Sequence, residues 1–597
     1  MNGLTLVIGA ALFLILAYRF YGAFMAAKVL TLDASRVTPA IRLEDGRDYV
    51  PTNKWIVFGH HFAAIAGAGP LIGPVLAAQF GYLPGTLWIL IGAVLAGAVH
   101  DMVVLFASVR YDGMSLAEIA KKELGTLSGF LTSIAILFIL IITMAGLALA
   151  VVNALFGSPW GTFTVGVTIP IALFIGVYLR WLRPGKIGEA TVIGVTLVLL
   201  GVIAGPYIQH SALAPYLTFT KEQLAVILAV YGFTAAALPV WLLLAPRDYL
   251  STYMKIGVIL ALAVGIIIVN PTMQMPAVTK FVNGGGPIIP GKVWPFMFIT
   301  IACGAMSGFH ALISTGTTPK MITNERDIKI VGFGGMLTEA FVALMALIAA
   351  AGLFPGDYFA INTAPEVFQK LGMQVKDIAI LSQMVGENVA GRPGGAVSLA
   401  VGMAHIFSSV PGLKHLMSYW YHFIIMFEAL FILTTIDAGT RVGRYILQEM
   451  GGAVYKPLKN HNWWPGIIAC SVLISLAWGY LVYGGNISTI WPLFGVANQL
   501  LGTMALAIGT TMIIRNGKAR YAWTTVVPMT FLAVTTLAAG YLNIFTNYLP
   551  KGNTLLATLS AIMMVLVVVV IVDSVRNWIK LLAAQNSGND RVKAAQV

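Results

Sequence analysis

The chain has 597 residues, of which 58% are hydrophobic and only 10% are charged, and its mean hydropathy is +0.86. Soluble domains carry about 25% charged residues, so this composition excludes a water-soluble fold. The formal net charge of +13 does not indicate a nucleic-acid partner, because the basic residues are scattered in short loops between apolar segments.

Apolar segments of about 20 residues recur along nearly the whole chain, and each can cross a ~30 Å hydrocarbon layer as a helix. Because lipid satisfies no backbone amide, these segments predict an all-α polytopic membrane protein whose helices are embedded in lipid. The segment 4–26 lacks a basic region before it and a small-residue cleavage site, so we expect a retained helix. About fifteen transmembrane helices are predicted, near residues 4–26, 59–80, 85–109, 126–154, 162–182, 188–207, 221–245, 254–270, 293–315, 329–353, 416–440, 463–484, 488–514, 521–544 and 553–581.

The distribution of positive charge predicts the orientation of the chain. If the helices cross in alternation, one side receives about 27 of the 36 Lys and Arg residues, and the positive-inside rule assigns that side to the cytoplasm. The N-terminus then faces outward and the C-terminus faces the cytoplasm. The predicted cytoplasmic loops are 28–54, 110–122, 180–186, 247–255, 320–329, 441–459 and 515–520.

The chain divides into membrane-embedded units, with no stretch long enough for a large soluble domain. The stretch 379–409 is only moderately apolar, and we expect it to re-enter the membrane as a hairpin or a pair of short helices. A GxxxxGK[ST] phosphate loop is absent, which argues against an ATP-driven pump. The predicted units are an N-terminal helix and cytoplasmic loop (1–58), a first inverted repeat (59–220), a second inverted repeat containing the re-entrant segment (221–445), additional transmembrane helices (446–582) and a disordered cytoplasmic tail (583–597).

Glycine and proline interrupt several predicted helices in mid-membrane. The clearest break is HHFAAIAGAGPLIGP over 60–74, and a second candidate lies at 231–239. In transporters such breaks release backbone groups that bind anionic substrates or coupling cations. The two breaks run in opposite directions with four crossings between them, as expected of inverted repeats. For each glycine the alternative is close helix packing. The candidate substrate-binding residues are Gly67, Gly69, Pro70, Gly73, Tyr231, Gly232, Thr234, Ser307 and His310.

Ionisable residues inside the predicted helices are candidates for coupling a proton. A charge in hydrocarbon costs at least ~2.5–3.5 kcal/mol, so each intramembrane acid needs a partner, a proton or a function. Asp101, Glu339 and Glu428 are the predicted proton-coupling residues, and His100 and His310 are further relay candidates. The alternative for each acid is a structural hydrogen bond or a buried ion pair.

Other polar residues favour structural roles. Asp437 precedes Arg441 by one helical turn, which predicts an i,i+4 ion pair. Arg19 is the only basic residue expected deep in the bundle, so a substrate carboxylate is expected to bind backbone amides, hydroxyls or histidine. His60 and His61 diverge on a helix and are weak evidence for a metal, and the two cysteines lie in apolar segments. We therefore predict no metal and no cofactor beyond a proton or sodium gradient.

Several long strings carry a resemblance to a known family. They include TNKWIVFGHHFAAIAGAGPLIGPVLAAQFGYLPGTLW and HDMVVLFASVR within 49–125, GGAVSLAVGMAHIFS at 394–408, FEALFILTTIDAGTRVGRY at 427–445 and WPLFGVANQLLG at 491–502. Together they resemble the carbon starvation (CstA) family along nearly the whole chain.

The resemblance implies a bacterial inner-membrane transporter, induced when carbon is scarce, that takes up peptides or pyruvate with the proton gradient. It also implies a core resembling the LeuT-like five-plus-five inverted repeat of the amino acid/polyamine/cation superfamily. Peptide and pyruvate both offer a carboxylate, so the substrate stays open, as do sodium coupling and the oligomeric state. A gated channel and an intramembrane enzyme are the alternative functions.

Overall fold

A computed structural model describes residues 1–46, 49–183, 186–239, 242–452, 454–460 and 463–594. Within these residues the chain is all-helical, apart from two isolated bridges between Asn2 and Thr272 and between Thr52 and Ile322. The predicted all-α class is confirmed. The helices of the first half are α1 (Gly3–Phe24), α2 (Pro39–Arg42), α3 (Lys54–Ile65), α4 (Gly69–Ala77), α5 (Tyr82–Gly92), α6 (Ala98–Arg110), α7 (Leu116–Leu124), α8 (Thr126–Leu155), α9 (Pro159–Val177), α10 (Ile187–Gln209), α11 (Ala214–Leu217), α12 (Lys221–Ala237) and α13 (Leu244–Val269). Those of the second half are α14 (Val293–Thr300), α15 (Phe309–Ser314), α16 (Gly335–Ala351), α17 (Pro355–Asn362), α18 (Pro365–Leu371), α19 (Ile378–Val385), α20 (Ala396–Ser408), α21 (Met417–Gly452), α22 (Trp464–Tyr483), α23 (Ile487–Arg515), α24 (Trp523–Leu542) and α25 (Thr554–Ala594).

Among the described residues, eleven helices are long and apolar enough to cross a membrane, or twelve if the bent α3–α4 pair is one span. Each of the eleven falls on one of the predicted crossings. The other four predicted crossings coincide with α3–α4, α12, α13 and the interrupted pair α14–α15. The structure therefore supports a polytopic bundle, and the full count of fifteen crossings stays a prediction.

The bundle has a packed centre and a lipid-facing rim. The apolar stretches of α21 and α23 are almost wholly buried, whereas those of α1, α10 and α25 are mostly exposed. The exposed side chains on the rim are large and apolar, such as Ile15 and Val192, which suits contact with lipid tails. The polar groups described below lie in the packed centre.

Ion pairs link segments that flank the loops predicted to be cytoplasmic. Arg110 Nε pairs with Glu325 Oε1 at 2.5 Å, and Arg515 Nη1 pairs with Glu123 Oε1 at 3.1 Å. Elsewhere the N–H of Gly3 donates to the carbonyl of Pro271. The side of the membrane on which these loops lie stays a prediction.

The stretch 379–409 contains two short helices, α19 and α20, and a turn with glycines at positive φ. Ile380 near its start and Pro411 just beyond its end line the same cavity as Gln274. The stretch thus enters and leaves the bundle close together, and its re-entrant path through the bilayer stays a prediction. At the C-terminus α25 extends to Ala594, past position 583, where we placed the start of a disordered tail.

Candidate functional site

The α3–α4 span is broken where the sequence places its glycines and proline. The two helices meet at a bend of 48°. Ala66 leaves helical geometry with ψ 73°, and the Gly67 N–H donates to Ile65 O instead of to Ala63 O. Pro70 lies in the first turn of α4, where its missing N–H breaks no helical bond. The break therefore releases the carbonyl of Ala63 inside the bundle.

A second break, residues 301–308 between α14 and α15, packs directly on the first. A Cβ at Gly69 would lie 2.3 Å from Cys303 Sγ, and one at Gly73 would lie 2.5 Å from Thr300 O. These two glycines thus permit close approach of the two segments. Among the described residues, the atom near a Cβ added at Gly67 is Thr435 Oγ1, at 3.1 Å.

The two breaks lie beside a continuous chain of buried ionisable groups. His100 Nδ1 lies 2.7 Å from Asp101 Oδ1, and Asp101 Oδ2 lies 2.8 Å from His310 Nδ1. His310 Nε2 lies 3.0 Å from Glu339 Oε2. All four side chains are fully buried. The structure therefore brings together His310, Asp101 and Glu339, which the sequence analysis selected from separate helices. We call these three residues and His100 the His–acid chain.

The other predicted acid is not joined to this chain by any described contact. Glu428 on α21 is buried, and its carboxyl oxygens have no hydrogen-bond partner among the described residues. Its assignment to proton coupling stays a prediction.

Two adjacent histidines contact hydroxyl groups near the site. His60 Nε2 lies 3.0 Å from Thr317 Oγ1, and His61 Nδ1 lies 2.9 Å from Thr318 Oγ1. Within the described part of the chain no group of three or more His, Cys, Asp or Glu side chains is arranged to hold a metal ion.

Ser307 lies in the second break, where an amide that the sequence analysis missed holds the backbone. Asn498 Oδ1 accepts from Phe309 N at 2.8 Å and lies 3.2 Å from Ser307 Oγ. Asn498 belongs to the WPLFGVANQLLG string, and a primary amide in an almost wholly apolar helix was the signal available. The Ser307 hydroxyl is thus engaged with Asn498.

The second predicted break region is held by a separate polar group. Tyr231 Oη donates to Asp437 Oδ2 at 2.7 Å, and Arg247 Nη1 lies 3.6 Å from the same oxygen. Gly232 packs against Trp478, and the Thr234 hydroxyl donates to Val230 O within its own helix. The described contacts do not connect these residues to the His–acid chain.

Two sequence-based expectations about charge need correction here. Asp437 does not pair with Arg441, whose Nη2 instead donates to Ala235 O and Leu238 O at the end of α12. The expectation that only Arg19 lies deep is also wrong, because Arg247 and Lys255 are 1% and 2% exposed inside α13. They were assigned to a loop, but α13 begins at Leu244 and carries both into the bundle.

These features define a polytopic helical membrane protein with broken helices around a buried ionisable site. The family profile described as "Carbon starvation protein CstA" matches residues 2–539. The chain belongs to this family.

Curated relatives cover nearly the whole chain. The "Peptide transporter CstA" of Bacillus subtilis is 55% identical over 586 residues, covering 97% of this chain and 98% of the relative. The "Peptide transporter CstA" of Escherichia coli is 50% identical, covering 91% and 81%. The "Pyruvate/proton symporter BtsT" of Escherichia coli is 47% identical, covering 92% and 82%.

Among solved structures, a manganese transporter of Eremococcus coleocola in complex with an aromatic bis-isothiourea substituted compound gives a TM-score of 0.44 at 13% identity. The alignment covers 92% of this chain and 100% of that chain. A likeness this distant carries no argument about fold or substrate.

Proposed function

We propose that the chain is a secondary active transporter that imports peptides or a small carboxylate such as pyruvate when carbon is scarce. The support is full-length similarity to relatives named as a peptide transporter and as a pyruvate/proton symporter. These relatives are named as transporters and not as enzymes, so the intramembrane enzyme has no support from them. Peptide and pyruvate share a carboxylate, which is the chemistry that the site must recognise.

The observation that carries the proton-coupled mechanism is the His–acid chain beside the two helix breaks. The His310 ring contacts Asp101 through Nδ1 and Glu339 through Nε2. An imidazole can accept a proton at one nitrogen and release one at the other, so this ring can pass a proton between the two carboxyl groups. We assign proton coupling to Asp101 and Glu339, with Glu428 as a further candidate.

We propose alternating access through movement at the breaks. Each break interrupts a helix that would otherwise be rigid, so the half-helices on its two sides can tilt separately. Protonation of the His–acid chain changes the charge at the point where the breaks meet. That change biases the tilt toward one side of the membrane, which couples the proton to the substrate.

The finer architecture is part of the same proposal. It comprises fifteen crossings, a re-entrant 379–409, and two inverted repeats of the LeuT-like five-plus-five type over 59–220 and 221–445. The protein resides in the bacterial inner membrane with its N-terminus outside and its C-terminus in the cytoplasm. The concentration of Lys and Arg in the loops predicted to be cytoplasmic supports this orientation.

The test is uptake of labelled pyruvate and of a labelled dipeptide into proteoliposomes containing the purified protein. We expect accumulation of one of them above its external concentration only when an inward proton gradient is imposed. Accumulation under a sodium gradient alone would replace the proton by sodium. Gradient-independent equilibration without saturation would indicate a gated channel instead.

A further inference from the structure

A buried lysine lies at the first helix break, where the sequence analysis expected no cation. Lys255 is in the fourth turn of α13, and its Nζ donates to Ala63 O at 2.9 Å. The same ammonium lies 4.1 Å from the centroid of the Phe431 ring on α21. An ammonium is costly to hold within a membrane, so its presence there points to a function.

The break itself supplies the carbonyl that holds this ammonium. In an unbroken helix the N–H of Gly67 would donate to Ala63 O, four residues earlier. Here that N–H donates to Ile65 O at 2.8 Å. The carbonyl of Ala63 is thereby released, and it accepts from Lys255. The cation is directed at the unwound segment and contacts it through the backbone.

The surroundings of the ammonium suit an anionic ligand. A Cβ added at Gly67 would lie 3.1 Å from Thr435 Oγ1, so a hydroxyl group packs against the unwound segment. A role only as a buried counter-charge is the structural alternative.

We propose that Lys255 binds the carboxylate of the substrate and makes the site select anionic substrates over their uncharged analogues. This inference rests on the proposed import of a carboxylate and names the residue that recognises it. A carboxylate is a stronger acceptor for an ammonium than a neutral carbonyl is, so the substrate displaces Ala63 O. Peptides and pyruvate share this group, so the same residue serves either substrate class.

The experiment measures binding separately from transport. Purified protein in detergent is titrated calorimetrically with pyruvate and pyruvamide, and with alanyl-alanine and its C-terminal amide. The wild type should bind one carboxylate at least tenfold more tightly than the matching amide. Lys255→Met should weaken carboxylate binding by about 10- to 100-fold, as expected for loss of a hydrogen bond to a charged group, and change amide binding less than threefold.

Three further variants complete the test. Lys255→Gln can still donate to Ala63 O, so it gives the same readout if the Met variant does not fold. Lys255→Arg should restore most of the preference. Lys370→Met, at an exposed lysine on α18, is the matched control and should bind like the wild type.

The outcomes separate this inference from the proposed function. A wild type that prefers the carboxylate but does not accumulate it would refute the transport proposal and leave the role of Lys255 standing. Retention of the tenfold preference in both Lys255→Met and Lys255→Gln would refute the role of Lys255, whatever the transport assay gives. The role of Lys255 would also be refuted if the wild type bound neither carboxylate, or bound each carboxylate no more tightly than the matching amide.

Discussion

His310 is the residue whose ring contacts both Asp101 and Glu339. Its ring lies between Asp101 and Glu339, which come from α6 and α16, helices far apart in sequence. Because all three side chains are fully buried, any proton that one of them gains must come from or pass to another of them, or move when the site opens. The substitution of one acid therefore tests coupling more sharply than it tests substrate binding.

Glu339→Gln should abolish proton-driven accumulation but preserve exchange of labelled for unlabelled substrate across the proteoliposome membrane. Glutamine keeps the shape and a hydrogen-bonding group opposite His310 Nε2 but cannot take up and release a proton. We expect accumulation to fall at least tenfold and exchange to change less than about threefold. The measurement compares, at one pH, proton-driven uptake of labelled substrate with exchange of labelled for unlabelled substrate in the same proteoliposomes.

Glu366→Gln on α18 is the control, because this carboxyl is exposed and distant in sequence from the site. It should leave both assays unchanged. If Glu339→Gln accumulates substrate like the wild type, Glu339 does not couple the proton, and the same assay then decides between Asp101 and Glu428.

At the scale of the helices, α13 is where sequence and structure differ most. Hydropathy divides 221–270 into two apolar segments with Arg247 and Lys255 in a loop between them. In the structure α12 ends at Ala237 and α13 already begins at Leu244. Buried Arg247 is accommodated because Asp437, 190 residues later in the chain, approaches from α21, and buried Lys255 because it donates to Ala63 O. Hydropathy in a short stretch of sequence does not show that a residue far along the chain will contact a buried cation.

The residues that the sequence analysis selected and the structure brings together are those with a local signal. Asp101, His310 and Glu339 stood out because each is ionisable within an apolar helix, and the 67–74 break stood out through its density of Gly and Pro. The partner of that break was not predictable in the same way. The sequence analysis paired it with 231–239, whereas the contacts of Gly69 and Gly73 pair it with 300–303. Which segments meet depends on packing across the bundle.

Asp437→Leu should destabilise the protein strongly because it leaves Arg247 as a buried charge without its carboxylate. Removing one member of a buried ion pair costs about 3–5 kcal/mol. The double variant Asp437→Leu with Arg247→Met should recover much of that loss, since it removes both charges. Thermal unfolding of the purified protein in detergent, followed by tryptophan fluorescence, gives the comparison.

Arg441→Met, alone and combined with Asp437→Leu, is the matched control for this comparison of single and double variants. Arg441 donates to the carbonyls at the end of α12 and does not pair with Asp437. The coupling energy between Asp437 and Arg441 should therefore be smaller than that between Asp437 and Arg247. A strong coupling between Asp437 and Arg441, with none to Arg247, would contradict the geometry described for α13.

At the scale of the whole molecule, the predicted orientation can be tested with few substitutions. Val278 is 50% exposed in the loop between α13 and α14, and Leu43 is 38% exposed just after α2, in a loop predicted to be cytoplasmic. The native Cys303 and Cys470 are both buried, so they should contribute little background to thiol labelling.

With the N-terminus outside, Val278→Cys should react with a membrane-impermeant maleimide in intact cells, and Leu43→Cys should react only after the membrane is permeabilised. The reverse pattern would invert the orientation derived from the positive-inside rule.

Cysteines at Ile380 and Pro411 extend the test to 379–409, because these positions line one cavity together with Gln274. A re-entrant segment returns to the side from which it started, so both should be labelled from the same side as Val278→Cys. Labelling of the two from opposite sides would mean that 379–409 crosses the membrane once, and every crossing after it would then be inverted.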